Sequence, residues 1–392
     1  YYYQGRLYAR QQHWDLAVEY YTLALKQEPL FAEVYANRGN ILKIQGKFKE
    51  ALEDYNLALQ YNPNLEQTYY NRGVLKESQH DFEGAFTDFQ ETIRFDPQFA
   101  PAFCNRGVLY LRKENYKAAL EDLNHAIQLD PTLVDAYYSR AGIWERAQRL
   151  EQAIQDYNEV IKLNPKDIDA YLRKGSCVME QKNYMDALKI FNDTLHLNSK
   201  SAETYNYRGI CYYRQMLFDQ ALADFKEAIR LKPDLEVAYK NRANAYYVKQ
   251  QFDLALLDYA VYLQKNSDDF EVYYFRGLLY SQQRKWDEAI HDFTEVMRLN
   301  PQYLDAWNRR GFAYSKTQQY LLAIQDYTEV TRLNPDKAEA YCNLMDCKLN
   351  LKDRDGAKKY AQQLLEKTET NLSESVLKLR ERIFQKFPEL KK

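Results

Sequence analysis

The chain has 392 residues, 28% of them charged and 46% hydrophobic, with a net charge of −2. That balance predicts a water-soluble, core-forming protein and excludes both a basic nucleic-acid binder and an acidic tail. No run of 18 apolar residues occurs, so no membrane-inserting helix is expected. Tyr1 opens the chain without the charged, apolar and small-residue succession of a signal, so either upstream sequence has been removed or the chain is a fragment.

In chain order, one unit recurs. The first copy lacks its opening residues and keeps Gly5 and Ala17; the second reads "VYANRGNI" at 34–41, the third "YYNRGVL" at 69–75 and the fourth "FCNRGVL" at 103–109. Proline at 29, 63, 97, 131, 165, 233, 301 and 335 advances by 34 residues or its double, with Ser199 and Ser267 in the gaps. Glycine at 5, 39, 73, 107, 175, 209, 277 and 311 keeps the same step, with Ala141 and Ala243 filling in. Alanine follows twelve residues later in every copy, from Ala17 to Ala357. The eleventh copy (338–371) keeps Tyr341 and Ala357 but loses the glycine and the proline.

Within a copy, Tyr35 and Leu42, then Ala51, Leu52, Tyr55 and Leu59, fall at helical spacing and predict two amphipathic helices. A turn at "QGKF" (45–48) or "KENY" (113–116) divides them. The second helix must stop before the proline, whose predecessor is usually Asn or Asp. Glycine inside a helix costs about 1 kcal/mol relative to alanine, and close approach of the paired helix at the alanine slot is the expected compensation. Last comes "SESVLKLRERIFQKF" (373–387), read as an amphipathic helix capped by Ser373 that covers the final apolar face, with "PELKK" as a natural end.

This register of small residue, alanine and proline resembles the tetratricopeptide repeat. The resemblance implies an all-α fold, a right-handed superhelical solenoid of antiparallel hairpins over residues 1–371 with a capping helix and tail at 372–392. It also implies that the first helices line the concave surface.

Arginine directly before the glycine slot (38, 72, 106, 140, 208, 242, 276, 310) and aspartate fifteen residues after it (54, 88, 122, 156, 224, 258, 292, 326) occur in the same eight copies. In repeat six both change, to Lys174 and Ile190. An Arg–Asp pair joining the two helices of one repeat is expected; the other reading is two solvated charges, worth under about 1 kcal/mol. The slot two before the glycine instead varies: Tyr3, Asn37, Asn71, Asn105, Ser139, Arg173, Tyr207, Asn241, Phe275, Arg309 and Asn343. At 100° per residue it lies opposite the glycine, and its variation is what a ligand-facing surface would show.

Asn37, Asn71 and Asn105 offer donors and acceptors to the backbone of an extended peptide. They resemble the asparagine ladder of O-linked N-acetylglucosamine transferases, as Asn241 and Asn343 do more weakly. Further along, Tyr207, Tyr213, Tyr247, Tyr274, Phe275 and Phe312 make the face aromatic, where partner recognition and simple helix packing are both readings. Basic residues on that face, Lys43, Arg112, Arg146, Arg173, Arg214, Lys240, Arg309 and Lys316 against Glu77, Glu145, Glu180 and Asp346, would favour an acidic ligand, while Glu33, Asp135, Asp169 and other acids beginning first helices complement the dipole and dilute that field. The carboxylate clamp by which the family holds chaperone tails is not expected here: Asn40 and Asn71 match, but Ala36 and Pro101 stand where lysines belong and Asn105 where the arginine does, and Lys240 with Asn244 begins a second match that Phe275 breaks.

His13, His80, His125, His196 and His291 fall in unrelated slots, and no catalytic or phosphate-binding motif is present, so no enzyme and no cofactor is expected. Asp268 and Asp269 read as helix caps. "NDT" (192–194) and "NLS" (371–373) match the glycosylation pattern. Nucleic-acid reading by helical repeats is disfavoured by the acidic helix starts and the net charge. Cys104, Cys177, Cys211, Cys342 and Cys347 form no CxxC pair and read as small buried hydrophobes, which favours a reducing compartment such as the cytoplasm. The expectation is a protein-interaction scaffold that binds an extended segment of a protein partner. The alternatives are a substrate-selecting array of a larger enzyme and a self-associating structural subunit.

Overall fold

The computed structural model describes residues 1–368 and 373–391. Among these, 23 α-helices and a short 3-10 helix account for the regular structure, without a strand. They divide into two units, 1–199 and 200–392, and in each the helices pair as antiparallel hairpins stacked in chain order. Repeat two contributes Ala32–Ile44 and Phe48–Tyr61, repeat three Glu66–Ser78 and Phe82–Phe95, and repeat six Ile168–Glu180 and Tyr184–Leu197.

Each hairpin turns through one residue in the left-handed region, at the same slot in all eleven repeats: Gly46 at φ 74° and ten non-glycines such as His80 at 66° and Glu114 at 55°. The turn is a Schellman motif; in repeat two Lys47 N donates to Leu42 O at 2.9 Å and Gly46 N to Lys43 O at 3.0 Å. Before the prolines, Asn62, Asp96, Asp130, Asn164 and Asn334 accept a hydrogen bond from the backbone two residues on, so these acids and amides end the second helix by an Asx turn. The helices after Ser199 and Ser267 carry a side-chain cap, Ser201 accepting from Thr204 N and Asp269 from Val272 N, as Asp167 accepts from Ala170 N after Pro165.

The core bears out the close approach expected at the glycine and adds a second neighbour to it. A Cβ at Gly39 would stand 2.9 Å from the Tyr55 ring and 3.3 Å from the Ala51 carbonyl; at Gly73, Gly175 and Gly209 the nearest atoms belong to Phe89, Phe191 and Phe225. The glycine seats the side chain sixteen residues downstream, Leu123 at Gly107 and a ring elsewhere, and at Gly39 and Gly107 the carbonyl of the paired alanine also closes on it, at 3.3 and 3.4 Å.

The Arg–Asp pairing holds in all eight repeats. Arg38 binds Asp54 through Nε and Nη2, both at 2.7 Å, and the other seven pairs repeat this fork at 2.6–2.9 Å. Sequence reading missed two further roles of the same arginines. Each guanidinium lies over the aromatic ring three residues before it, from Tyr35 to Trp307. Arg38, Arg72, Arg140 and Arg310 also donate to Thr22, Asn56, Asn124 and Thr294 on the preceding repeat.

At the end of the second unit, helix Glu374–Lys386 packs Ile383 and Phe387 against Met345, Ala361 and Leu364, and Arg382 and Lys386 both pair with Asp346. Ser373 is its N-cap residue but makes no side-chain cap bond, contrary to expectation. Two residues of the "NLS" match, 371 and 372, and the boundary at 371 lie outside the described residues.

Candidate functional site

The face opposite the paired helix sorts the variable slot into two kinds. Asn37 Nδ2 donates to Tyr2 Oη at 3.4 Å, Asn105 Nδ2 to Tyr70 Oη at 3.4 Å and Asn241 Nδ2 to Asn206 Oδ1 at 2.9 Å, each partner 35 residues upstream. Arg173 and Arg309 stand in the same relation to the Tyr138 and Tyr274 hydroxyls. These links join repeats one to two, three to four, five to six, seven to eight and nine to ten. At alternate junctions within the units the register position 35 upstream is Ala36, Cys104 or Lys240; Asn71 donates instead to Asn40 at 3.1 Å, and the Lys240 ammonium goes to Asp269 at 2.7 Å. The slot's variation thus follows the side chain that the preceding repeat presents, 35 residues upstream in even repeats and, for Asn71, 31 residues upstream at Asn40.

Asn40 and Asn244 are drawn into the fold. Asn40 Oδ1 accepts from Tyr55 Oη at 2.8 Å and from Asn71 Nδ2 at 3.1 Å, and Asn244 Oδ1 accepts from Tyr259 Oη at 2.6 Å. Burial pushes both tyrosine hydroxyls well above their usual range, so they stay protonated donors. The signal was in the sequence: asparagine follows the glycine slot only where the ring behind it carries a hydroxyl.

Among the aromatics, Tyr274 is corrected from a face residue to a core one. It is 9% exposed, and its hydroxyl is hydrogen-bonded to Asp305. Tyr207 and Tyr213 are half-buried, Tyr213 edge-on to Phe218 at 5.5 Å. Tyr247 packs between Phe252 and Phe275. Phe275 and Phe312 remain 37% and 43% exposed, the latter edge-on to Trp286.

Repeats four to six hold a cavity of about 670 Å³ that includes Arg173. Glu145 is its hub: Oε1 accepts from Tyr157 Oη at 2.7 Å, and Oε2 pairs with Arg173 Nη1 at 3.4 Å. Cys177 lies 3.5 Å from the same carboxylate, and burial with that charge pushes its thiol up to about 12. Burial does the same to Cys104 and Cys211, so these cysteines are thiols packed as hydrophobes. No cluster of three His, Cys, Asp or Glu side chains able to hold a metal occurs among the described residues.

Segments 32–65, 100–133, 202–235 and 270–303 match one model of the tetratricopeptide repeat, and 134–167 and 304–337 match another, together more than half of the chain. The chain belongs to the tetratricopeptide repeat family. Among solved structures, the C-terminal part of a TPR repeat-containing protein from Cytophaga hutchinsonii is 17% identical, covers 61% of this chain and 98% of its own, and superposes with a TM-score of 0.50. YrrB, described as a TPR protein with an unusual peptide-binding site, is 22% identical over 47% of this chain and 95% of its own, with a TM-score of 0.43. Yeast Tom70 is 16% identical over 97% and 94%, with a TM-score of 0.38. No curated protein matches the chain. Tetratricopeptide repeats are protein-interaction scaffolds, and this chain is built of them. No helix among the described residues is long and apolar enough to cross a membrane.

Proposed function

We propose that the first-helix face binds an extended segment of a protein partner. In the first unit, Asn71 and the other amides engage its backbone; in the second, Phe275, Phe312 and Tyr247 select its side chains. The observation that carries this reading is the slot two before the glycine, which changes chemistry from repeat to repeat while the arginine beside it holds still. Hydrophobic rings left over a third exposed at Phe275 and Phe312 support it. The test is a pull-down from the source organism with three proteins: wild type, Asn71→Ala with Phe275→Ala, and an outer-face control, Leu257→Ser. The same partner should be captured by wild type and control and lost with the face variant; capture unchanged by the face variant sinks the reading. Asn71→Ala and Asn105→Ala are also melted in urea singly, because they remove the bonds to Asn40 and Tyr70 and should each lower stability by about 0.5–1 kcal/mol.

Self-association is a second reading, favoured by Leu254, Leu257 and Val261, which are 44%, 65% and 39% exposed along one side of Phe252–Leu263. Light scattering across a concentration series should then show dimers that Leu257→Ser abolishes, and a mass independent of concentration removes this reading.

A further inference from the structure

The cavity in repeats four to six has a centre that packing does not require. In repeat five Ala141 takes the glycine's place, and Gly142 occupies the next slot, where neighbouring repeats carry Asn40, Val74, Val108 and Ser176. A Cβ on Gly142 would meet nothing within 4 Å. Glycine in a helix interior is disfavoured relative to alanine, so a glycine where a side chain would fit leaves the open space itself as the feature to explain.

Three guanidinium groups line that space from three successive first helices. Arg173 shares Glu145, whose other oxygen is held by Tyr157. Arg112 lies over the Phe82 ring at 4.4 Å, and Arg146 donates to Tyr116 Oη at 2.6 Å while lying over its ring. Both are thereby oriented, and among the described residues neither makes an ion pair, although Arg112 acts at longer range on the half-buried Glu77 carboxyl. Glu114 and Glu180 also line the opening, which keeps its net charge near zero. Selection therefore falls on a single carboxylate that reaches the arginines, not on polyanions in general. The opening also sits at a junction of repeats four and five that lacks the groove-side staple, with Ser139 opposite Cys104.

We propose that this cavity is a subsite for one acidic side chain, aspartate or glutamate, of the bound segment. Its carboxylate enters over Gly142 and is met by Arg112 and Arg146, whose planar forks suit it. Tyr138 packs against the methylene carbons. The subsite rests on the reading that the first-helix face binds an extended partner, and the experiment separates the two.

A random dodecapeptide display library is selected on the full chain, and the enriched peptides are titrated against four proteins: wild type, Gly142→Leu, Arg112→Gln with Arg146→Gln, and Asn71→Ala with Phe275→Ala. The expected result is a shared Asp or Glu at one register position. Gly142→Leu and the double arginine variant should each weaken binding about tenfold or more, as should replacing that acid by its amide. The arginine variant leaves helix-forming residues in place, so the readout survives even if leucine disturbs the helix. Peptides that depend on Asn71 and Phe275 but show no acidic position, or bind Gly142→Leu and the arginine variant as tightly as wild type, overturn the subsite alone. A library that yields no binder, or only binders indifferent to every face variant, overturns the groove reading and the subsite with it.

Discussion

Repeats three and six fold into the same hairpin, with Gly73 against Phe89 in one and Gly175 against Phe191 in the other. They differ in what lies beside that contact. In repeat three, fully buried Asp88 receives Arg72 through two bonds and Lys76 at 2.9 Å. In repeat six, Ile190 replaces the aspartate, and Lys174 makes no hydrogen bond or ion pair among the described residues; burial lowers its pKa, and a cavity of about 510 Å³ opens beside it. The hairpin therefore does not need the ion pair to form. The small residue, the alanine and the ring suffice, and the Arg–Asp fork adds a fixed geometry between helices at the cost of burying a carboxylate.

The comparison breaks most visibly at Asp88. Asp88→Ala strands Arg72 and Lys76 against a desolvated wall and should cost about 3–5 kcal/mol in urea unfolding; a loss under about 1 kcal/mol would mean that the fork contributes little. Transplanting the fork into repeat six is the converse. Lys174→Arg and Ile190→Asp should each be unfavourable or neutral alone, and a double-mutant cycle should show a favourable coupling of about 1–3 kcal/mol. Additive effects would show that repeat six cannot accept the geometry.

Glycines sharpen the contrast further. Gly175→Ala brings a methyl to 2.4 Å from the Phe191 ring and should cost about 1–3 kcal/mol. Gly142→Ala, with open space around it, should instead gain up to about 1 kcal/mol; equal signs in thermal melts would refute the assignment of the two glycines. The smallest effect concerns Lys174. Because burial lowers its folded pKa, the unfolded chain holds the proton more tightly. Stability should therefore rise with pH from the lowered value up to the unfolded one near 10.4. Lys174→Met should stabilise by about 0.5 kcal/mol at neutral pH and lose that rise, so parallel pH profiles for the two proteins would rule the account out.

The repeats were legible because their spacing is local. A 34-residue step, a small residue, an alanine and a proline define two helices and their pairing without reference to distant contacts. The Arg–Asp fork was legible for the same reason, since Arg38 and Asp54 belong to one hairpin. The face was less so. Asn37, Asn105 and Asn241 meet partners 35 residues upstream, and helical geometry within one repeat cannot say which side chain the previous repeat presents. A signal existed in the alternation of Tyr2, Tyr70, Tyr138, Asn206 and Tyr274 with Ala36, Cys104, Leu172 and Lys240. It has a period of two repeats, which a one-repeat alignment averages away.

By itself the sequence determined the helices, their turns, the hairpin pairing and the residues that fork across it, because each depends on dihedral preference and spacing inside some thirty residues. Only the tertiary structure decided that the glycines seat side chains sixteen residues downstream, that Tyr274 is core, that Asn40 is claimed by Tyr55, and that Gly142 opens a cavity among arginines. Those outcomes depend on how one hairpin is rotated and set against the next, a property of packed side-chain volumes that no single repeat carries.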